Sequence, residues 1–197
     1  DYISRVMGRY AQDVSVWDVV NEPMADDGTL RDSVWVEFMG AEYIDKALTQ
    51  ARSLSAGGTL LNNEFDIGFS GPKFNGLMSL VDDLQAREVP LDGIGFQLHL
   101  FSSFDQFAEL QLNFAEVAAR NIDIYITELD VSLSEGATTA RQAEVYAQIV
   151  DICLEQVRCK AIQTWGLTDQ YSFRSVFDPL LFDRAYQAKP AYDAVFE

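Results

Sequence analysis

The stretch VSVWDVVNEP, residues 14–23, is the part of the sequence that best indicates the fold. Its valines and tryptophan are typical of a buried β-strand. The stretch nevertheless ends in an amide, a carboxylate and a proline, at Asn21, Glu22 and Pro23. Other strands that finish in the same way would indicate a shared polar site at one end of a sheet.

Strand-length apolar runs alternate with longer amphipathic stretches along the whole chain. Strands are predicted at residues 14–20, 59–62, 93–98, 124–127 and 161–165, and helices at residues 34–53, 72–87, 104–120, 139–156 and 190–196, after the end of a first helix at residues 1–11. No Pro/Gly/Ser-rich linker interrupts this βα alternation. It favours one α/β domain over residues 1–197 with a parallel sheet.

Each predicted strand ends in polar, ionisable or aromatic groups. The endings are NEP from Asn21, NNE from Asn62, QLH from Gln97, TELD from Thr127 and TWGLTDQ from Thr164. In a (β/α)₈ TIM barrel these carboxyl ends form the active-site face. An open doubly wound sheet would usually carry a Gly-rich phosphate loop, which the sequence lacks. The barrel is therefore favoured.

The length of the chain is short for such a barrel. A (β/α)₈ barrel typically takes about 250 residues and eight βα units, and five are predicted in these 197 residues. We expect the chain to supply strands four to eight and to be incomplete at its N-terminus. It starts at Asp1 without a methionine, as a processed or truncated chain would, so the lack of a signal peptide leaves secretion open.

Composition excludes several classes of partner. The chain is 48% hydrophobic and 12% aromatic, enough for a sizeable core, and its formal charge is −17. That charge repels nucleic acid and anionic membrane surfaces, so neither is an expected partner. No apolar run approaches the roughly 18 to 20 residues of a membrane span.

Two glutamates, Glu22 and Glu128, stand at the ends of predicted strands. A pair of carboxylates in one cleft is what glycoside hydrolysis requires. Asn21 is expected to donate to a sugar hydroxyl or to the partner carboxylate. His99, the single histidine, is expected to orient Glu128, and Asp130 to fix the tautomer of His99. One histidine with scattered carboxylates lacks metal-ligand spacing, so no metal and no cofactor are expected.

The sequence blocks WDVVNEP, GIGFQLHL, ITELDVSL, TWGLTDQYSF and PLLFDRAYQAKPAYDAV, taken in order, resemble the signature blocks of glycoside hydrolase family 10, the endo-β-1,4-xylanases. The resemblance implies a (β/α)₈ barrel that hydrolyses xylan and xylo-oligosaccharides by a retaining double displacement. It makes Glu22 the general acid/base and Glu128 the nucleophile. The residues that it places around the cleaved sugar are Asn21, Gln97, His99 and Trp165.

Two further aromatic walls of the cleft are expected from Tyr171 and Phe173. The family usually has Trp where this chain has Phe173, which bears on how tightly the sugar beside the cleavage point is covered. The segment LLNNEFD, residues 60–66, is close to the family's strand-five ending, and we expect Glu64 to line the cleft without a catalytic role.

Cys153 and Cys159 lie six positions apart, between a predicted helix and the last predicted strand. The spacing is compatible with a disulfide across a turn or with two buried thiols. Similar family members close such a pair as a disulfide, which would fit a secreted, extracellular protein.

Two alternative functions remain open. A related β-glucanase or cellulase would use the same carboxylate pair. The second alternative is that the chain is an inactive or carbohydrate-binding barrel fragment, because five of eight βα units leave two sheet edges uncovered. Those edges are expected to be covered by a missing N-terminal barrel segment or by self-association.

Overall fold

The structure, a computed structural model, describes residues 2–196. The strands are β1 (Val16–Asn21), β2 (Thr59–Glu64), β3 (Gly93–Phe96), β4 (His99–Phe101), β5 (Asp123–Ser132) and β6 (Cys159–Thr164). The helices are α1 (Tyr2–Tyr10), α2 (Val34–Met39), α3 (Tyr43–Leu54), α4 (Pro72–Ala86), α5 (Phe107–Ala119), α6 (Thr139–Glu155) and α7 (Pro190–Phe196). Asp1 and Glu197, which belong to the predicted domain, lie outside the described residues.

All strand pairs of the sheet are parallel. β1 pairs with β2, β2 with β3, β3 with β5, and β5 with β6. β4 pairs with the later residues of β5. The strand predicted at residues 93–98 is therefore observed as β3, which ends at Phe96, and β4 begins just beyond the predicted end. The interruption lies at Gln97 and Leu98, where Leu98 has φ 56°. The five predicted strands are thereby confirmed as an arc of a (β/α)₈ barrel.

The predicted helix at residues 34–53 is two helices. α2 begins after Ser33, whose side chain accepts a hydrogen bond from the Val36 amide, and it ends at Gly40 with φ 65°. A glycine adopts this left-handed conformation without a Cβ penalty, and such residues commonly end helices. The second helix, α3, begins three residues later. The periodicity was correct, but the break at Gly40 was missed.

Two apolar clusters form the core between sheet and helices. The larger packs α4, α5, α6 and α7 on β3 and β5, through residues that include Phe74, Leu77, Ile94, Phe96, Phe114, Ile124, Val145 and Ile149. The smaller packs α1 and α3 on β1 and β2, through residues that include Met7, Val20, Ile44, Leu48 and Leu60. These clusters fix the strands, and with them the positions of the strand ends.

Both edges of the arc are open in the described part of the chain. Between residues 2 and 196, β1 pairs with β2 alone and β6 with β5 alone. On the β1 side Val16 is 38% exposed, and on α2 Trp35 and Phe38 are 59% and 76% exposed. Within the same range, no helix is both long and apolar enough to cross a membrane.

Cys153 and Cys159 form a disulfide, with their Cα atoms 5.2 Å apart. It joins the last turns of α6 to the first residue of β6. The expected pairing is confirmed. The closed loop is short, so the chain-entropy stabilisation should be at the low end of roughly 2 to 4 kcal/mol.

Candidate active site

The carboxyl ends of β1 and β2 meet in register. Asn21 is the cross-strand partner of Asn63, and the amide of Glu22 donates to the Asn63 carbonyl over 2.8 Å. Glu22 itself has φ 51°. Residues other than glycine rarely adopt this left-handed backbone conformation, and those that do are often found at functional sites. The backbone therefore turns sharply at the residue that the sequence singled out.

The Glu128 carboxylate is held on both oxygens. Asn63 Nδ2 donates to Oε1 over 2.7 Å, and His99 Nε2 lies 3.1 Å from Oε2. The other ring nitrogen of His99, Nδ1, lies 2.8 Å from Asp130 Oδ2. Asp130 is fully buried and Glu128 only 9% exposed. The expected placement of His99 between Glu128 and Asp130 is confirmed.

Asn63 links the ends of three strands through one side chain. Its Nδ2 also donates to Asn21 Oδ1 over 2.9 Å, and its Oδ1 accepts from Thr127 Oγ1 over 2.6 Å. A Cβ on Gly95 would meet the Asn63 amide and lie 2.9 Å from Thr127 Cγ2. Because Gly95 has no side chain, the Asn63 side chain has room to reach both Asn21 at the end of β1 and Thr127 in β5.

The donor to Glu128 is therefore Asn63. Of the two expected roles of Asn21, donation to that carboxylate is wrong, and donation to a sugar hydroxyl stays a prediction. Asn21 accepts from the same amide. Sequence reasoning missed Asn63, although it stands in the NNE ending of a predicted strand. Its position at the end of a predicted strand could have identified it as a candidate site residue.

The Glu22 carboxylate also has two donors. Gln97 Nε2 donates to Oε1 over 3.1 Å, and Arg31 Nη1 donates to Oε2 over 3.0 Å. The side chains of Glu22 and Arg31 are 31% and 35% exposed, so the pair is accessible from the cleft. Gln97 was expected near the cleaved bond, whereas Arg31 was missed.

A third carboxyl, Asp18 in β1, belongs to the same electrostatic system. Although Asp18 is an exposed residue, neighbouring protein atoms partly desolvate its carboxyl group and raise its pKa, and the negative charge of Glu128 raises it further. Like charges close together disfavour simultaneous ionisation. An ionised Glu128 therefore shifts the protonation equilibrium of Asp18 toward its protonated form.

Aromatic side chains flank His99. The ring centroid of Trp165 lies 6.4 Å from that of His99, and the centroid of Phe173 lies 5.1 Å from it. Trp165 and Phe173 are 46% and 63% exposed, which leaves apolar ring surface for a flat ligand. Tyr171 is largely exposed.

A buried ion pair anchors the segment that carries these aromatic residues. Lys189 Nζ lies 3.0 Å from Asp169 Oδ2 and donates to the Asp178 carbonyl over 2.6 Å. The other Asp169 oxygen accepts from the Leu180 amide over 2.6 Å. Burial raises the pKa of Asp169, against the opposing effects of the Leu180 amide and Lys189.

The expectation that Glu64 lines the cleft is wrong. Glu64 is fully buried, with Oε2 accepting from the Met24 amide over 3.0 Å and Oε1 lying 3.2 Å from Lys73 Nζ. Burial raises the pKa of Glu64, against the opposing effects of the Met24 amide and Lys73. The buried pair supports the backbone that follows Glu22.

Comparison with known proteins agrees with this geometry. The family model described as glycosyl hydrolase family 10 matches residues 1–197. The chain belongs to glycosyl hydrolase family 10. Endo-1,4-beta-xylanase B of Thermotoga neapolitana is 36% identical over 206 residues, covering 100% of this chain and 60% of that protein. Endo-1,4-beta-xylanase C of Phanerodontia chrysosporium is 35% identical, covering 99% of this chain and 51% of that protein.

A solved family 10 structure superimposes on the whole arc. The crystal structure of xylanase 10B from Thermotoga petrophila RKU-1 in complex with xylobiose matches with a TM-score of 0.95 and 37% identity, covering 100% of this chain and 63% of that one. The family 10 chain thus spans between about half and two thirds of the relatives it matches.

Proposed function

We propose that this chain carries the catalytic carboxylates of a retaining endo-β-1,4-xylanase. Glu22 is the general acid/base and Glu128 the nucleophile. The observation that carries the proposal is the pair of strand-end glutamates, each contacted by polar side chains at both carboxylate oxygens, in a chain that matches family 10 throughout. The substrates are xylan and xylo-oligosaccharides, as the names of the relatives indicate.

In the first half-reaction Glu128 attacks the anomeric carbon and the glycosidic C–O bond breaks. The proton of Glu22 passes to the leaving oxygen, which is a poor leaving group without it. Glu128 must be ionised for this attack. The Asn63 amide donates to one oxygen of this carboxylate, and His99 orients the other.

In the second half-reaction a water replaces the leaving group. Its oxygen attacks the anomeric carbon, the bond to Glu128 breaks with its electron pair returning to the carboxylate, and the water proton passes to Glu22. Two inversions give net retention. Asp130 keeps the His99 ring in place through both steps by its contact with Nδ1.

The sugar rings are bound by the exposed aromatic surface and by amides near Glu22. Trp165 and Phe173 offer faces beside His99, with Asn21 and Gln97 supplying polar contacts and Tyr171 an outer wall. Phe173 presents a smaller ring than Trp would, so it covers the sugar beside the cleavage point less completely.

The proposed location is extracellular. The Cys153–Cys159 disulfide supports this, because disulfides persist mainly in oxidising compartments. The open edges at β1 and β6 are proposed to be covered by a further barrel segment, with self-association as the other means of covering them.

The role assignment is tested by comparing Glu22→Ala and Glu128→Ala. The protein used is this chain, alone and joined to the part of the Thermotoga petrophila xylanase that it does not cover; we call the joined protein the chimera. Glu128→Ala should abolish release of an activated aryl group. Glu22→Ala should spare that first release but slow cleavage of poor leaving groups by roughly 100- to 10,000-fold.

Glu135→Ala is the matched control, since this glutamate is exposed in the turn before α6. It should leave both rates unchanged. Equal losses of the first release in the Glu22 and Glu128 variants would contradict the assignment.

A further inference from the structure

The segment between β1 and α2 folds back on itself so that its end lies beside its beginning. We call residues 23–31 the β1 loop. Met24 and Leu30 form an antiparallel bridge, the Ala25 amide donates to the Thr29 carbonyl over 2.8 Å, and the Arg31 amide donates to the Pro23 carbonyl over 2.7 Å. The loop therefore returns Arg31 to the residue that follows Glu22.

Helix α4 and the end of β2 hold the β1 loop from outside. Gly28 has φ 84° and packs so closely on the start of α4 that a Cβ on Gly76 would collide with its backbone. The Met24 amide donates to Glu64 Oε2 over 3.0 Å. Lys73, whose side chain is 6% exposed, lies 3.2 Å from Glu64 and 3.5 Å from Asp26. The β1 loop is thus held at three points, Met24, Asp26 and Gly28.

This anchoring delivers the Arg31 guanidinium to one oxygen of Glu22. Arg31 Nη1 donates to Oε2 over 3.0 Å, and the guanidinium carbon lies 5.1 Å from the centroid of the Phe65 ring. The same ring has Lys73 Nζ 3.1 Å from its centroid. The Phe65 ring thus contacts both cations and gives Arg31 a flat surface on which to lie.

The donors around Glu22 match the hydrogen-bonding capacity of a carboxylate. A guanidinium donates and has no acceptor, and Gln97 presents its amide nitrogen to the other oxygen. A carboxylate accepts both hydrogen bonds. A carboxylic acid needs one oxygen to carry a proton, which must compete with these donors. The carboxylate is the form that takes a proton from water in the second half-reaction.

We infer that Arg31 is a positioning residue for the second half-reaction: it holds Glu22 as an oriented carboxylate that accepts the proton of the attacking water. The inference rests on the proposed function. In that step water oxygen bonds to the anomeric carbon, the bond to Glu128 breaks and its electrons return to Glu128. The water proton goes to Glu22, next to the fixed positive charge of Arg31.

The kinetic test uses Arg31→Met in the chain and in the chimera, with an activated aryl β-xylobioside. For such a substrate the second half-reaction limits kcat. We expect kcat and KM to fall together by about five- to tenfold, because a partly exposed charged hydrogen bond is lost, while kcat/KM stays unchanged. Azide attacks without needing a base, so it should restore kcat. Arg31→Lys should recover part of the loss.

Arg87→Met is the matched control, because Arg87 is likewise an arginine paired with carboxylates, here Asp45 and Asp83, and it lies at the end of α4, away from Glu22 and Glu128. It should leave kcat and KM unchanged. A fall in kcat/KM for Arg31→Met, or a loss of kcat that azide does not restore, would overturn the inference.

A crystallographic test separates this inference from the proposed function. In Arg31→Met the Glu22 carboxylate should leave its present position or occupy several, while Gln97 and Glu128 stay in place. An unmoved Glu22 in a single conformation would overturn the positioning role. Absence of turnover in both unsubstituted proteins would reject the proposed function instead, and the crystal structure of the variant would still decide the role of Arg31.

Discussion

At the scale of single residues, the environment of each carboxyl group distinguishes four acids that lie on, or directly after, strands β1, β2 and β5. Glu22 and Glu128 reach the cleft, and each has polar side chains in contact with both of its carboxylate oxygens. Asp18 is coupled to Glu128 by charge. Glu64 is buried with Lys73 and holds the backbone of the β1 loop. Position at a strand end alone does not make an acid catalytic.

The pH dependence of stability reports on Glu64. Burial raises its pKa in the folded chain, so between its ordinary value of about 4.3 and that raised value the folded chain holds a proton that the unfolded chain has lost. The contribution of Glu64 to the free energy of unfolding therefore declines as pH rises through this window. Glu64→Gln removes that decline.

The measurement is urea unfolding of parent and variant from pH 4 upward. The free energy of unfolding of the parent minus that of Glu64→Gln should fall as pH increases. Glu135→Gln is the control: it shows how the free energy of unfolding changes with pH when one exposed carboxylate is removed. A difference that rises with pH would show that Lys73 stabilises the Glu64 carboxylate by more than burial disfavours it.

At the scale of elements, the segment after β6 depends on a long-range buried ion pair. Asp169 and Lys189 are twenty positions apart, and their side chains are 2% and 7% exposed. Asp169 begins the 3-10 turn that carries Tyr171, and Phe173 follows it. Removing one partner of such a pair leaves a buried, uncompensated charge.

Lys189→Met should therefore lower the free energy of unfolding by about 3 to 5 kcal/mol. Lys46→Met is the matched control. Lys46 pairs with Glu42 one helical turn away, and both side chains are exposed, so its loss should cost roughly 0.5 kcal/mol or less. Chemical denaturation gives both values. Similar small losses in the two variants would mean that the Asp169 pair does not hold this segment.

Elements with local signals were predictable, and those set by distant contacts were not. Hydrophobic periodicity located all five barrel strands, because buried strands and amphipathic helices carry their pattern in adjacent residues. The breaks at Gly40 and Leu98 depend on single backbone conformations. The roles of Arg31 and Asn63 depend on partners that only the fold brings close. A returning loop brings Arg31 to Glu22, and Asn63 contacts Glu128, which is 65 positions away in the sequence.

At the scale of the whole molecule, the chain holds the proposed catalytic pair in an open arc. Interactions within residues 2–196 hold both glutamates. The same range leaves β1 and β6 with one paired side each, and the family relatives are longer. We expect sugar-binding groups on the other side of the cleft to come from a further barrel segment. The chain alone should therefore hydrolyse xylan weakly or not at all, and the chimera should hydrolyse it well.

The most direct test of the central claim is to trap the glycosyl-enzyme intermediate. The chain and the chimera are incubated with a 2-deoxy-2-fluoro-xylobioside that carries an activated leaving group, and the labelled peptide is located by mass spectrometry. The account predicts one fluoroxylobiosyl group per chimera, attached to Glu128, with slower or no labelling of the chain alone. A label on any other residue, or rapid xylan hydrolysis by a chimera that is never labelled, would contradict it.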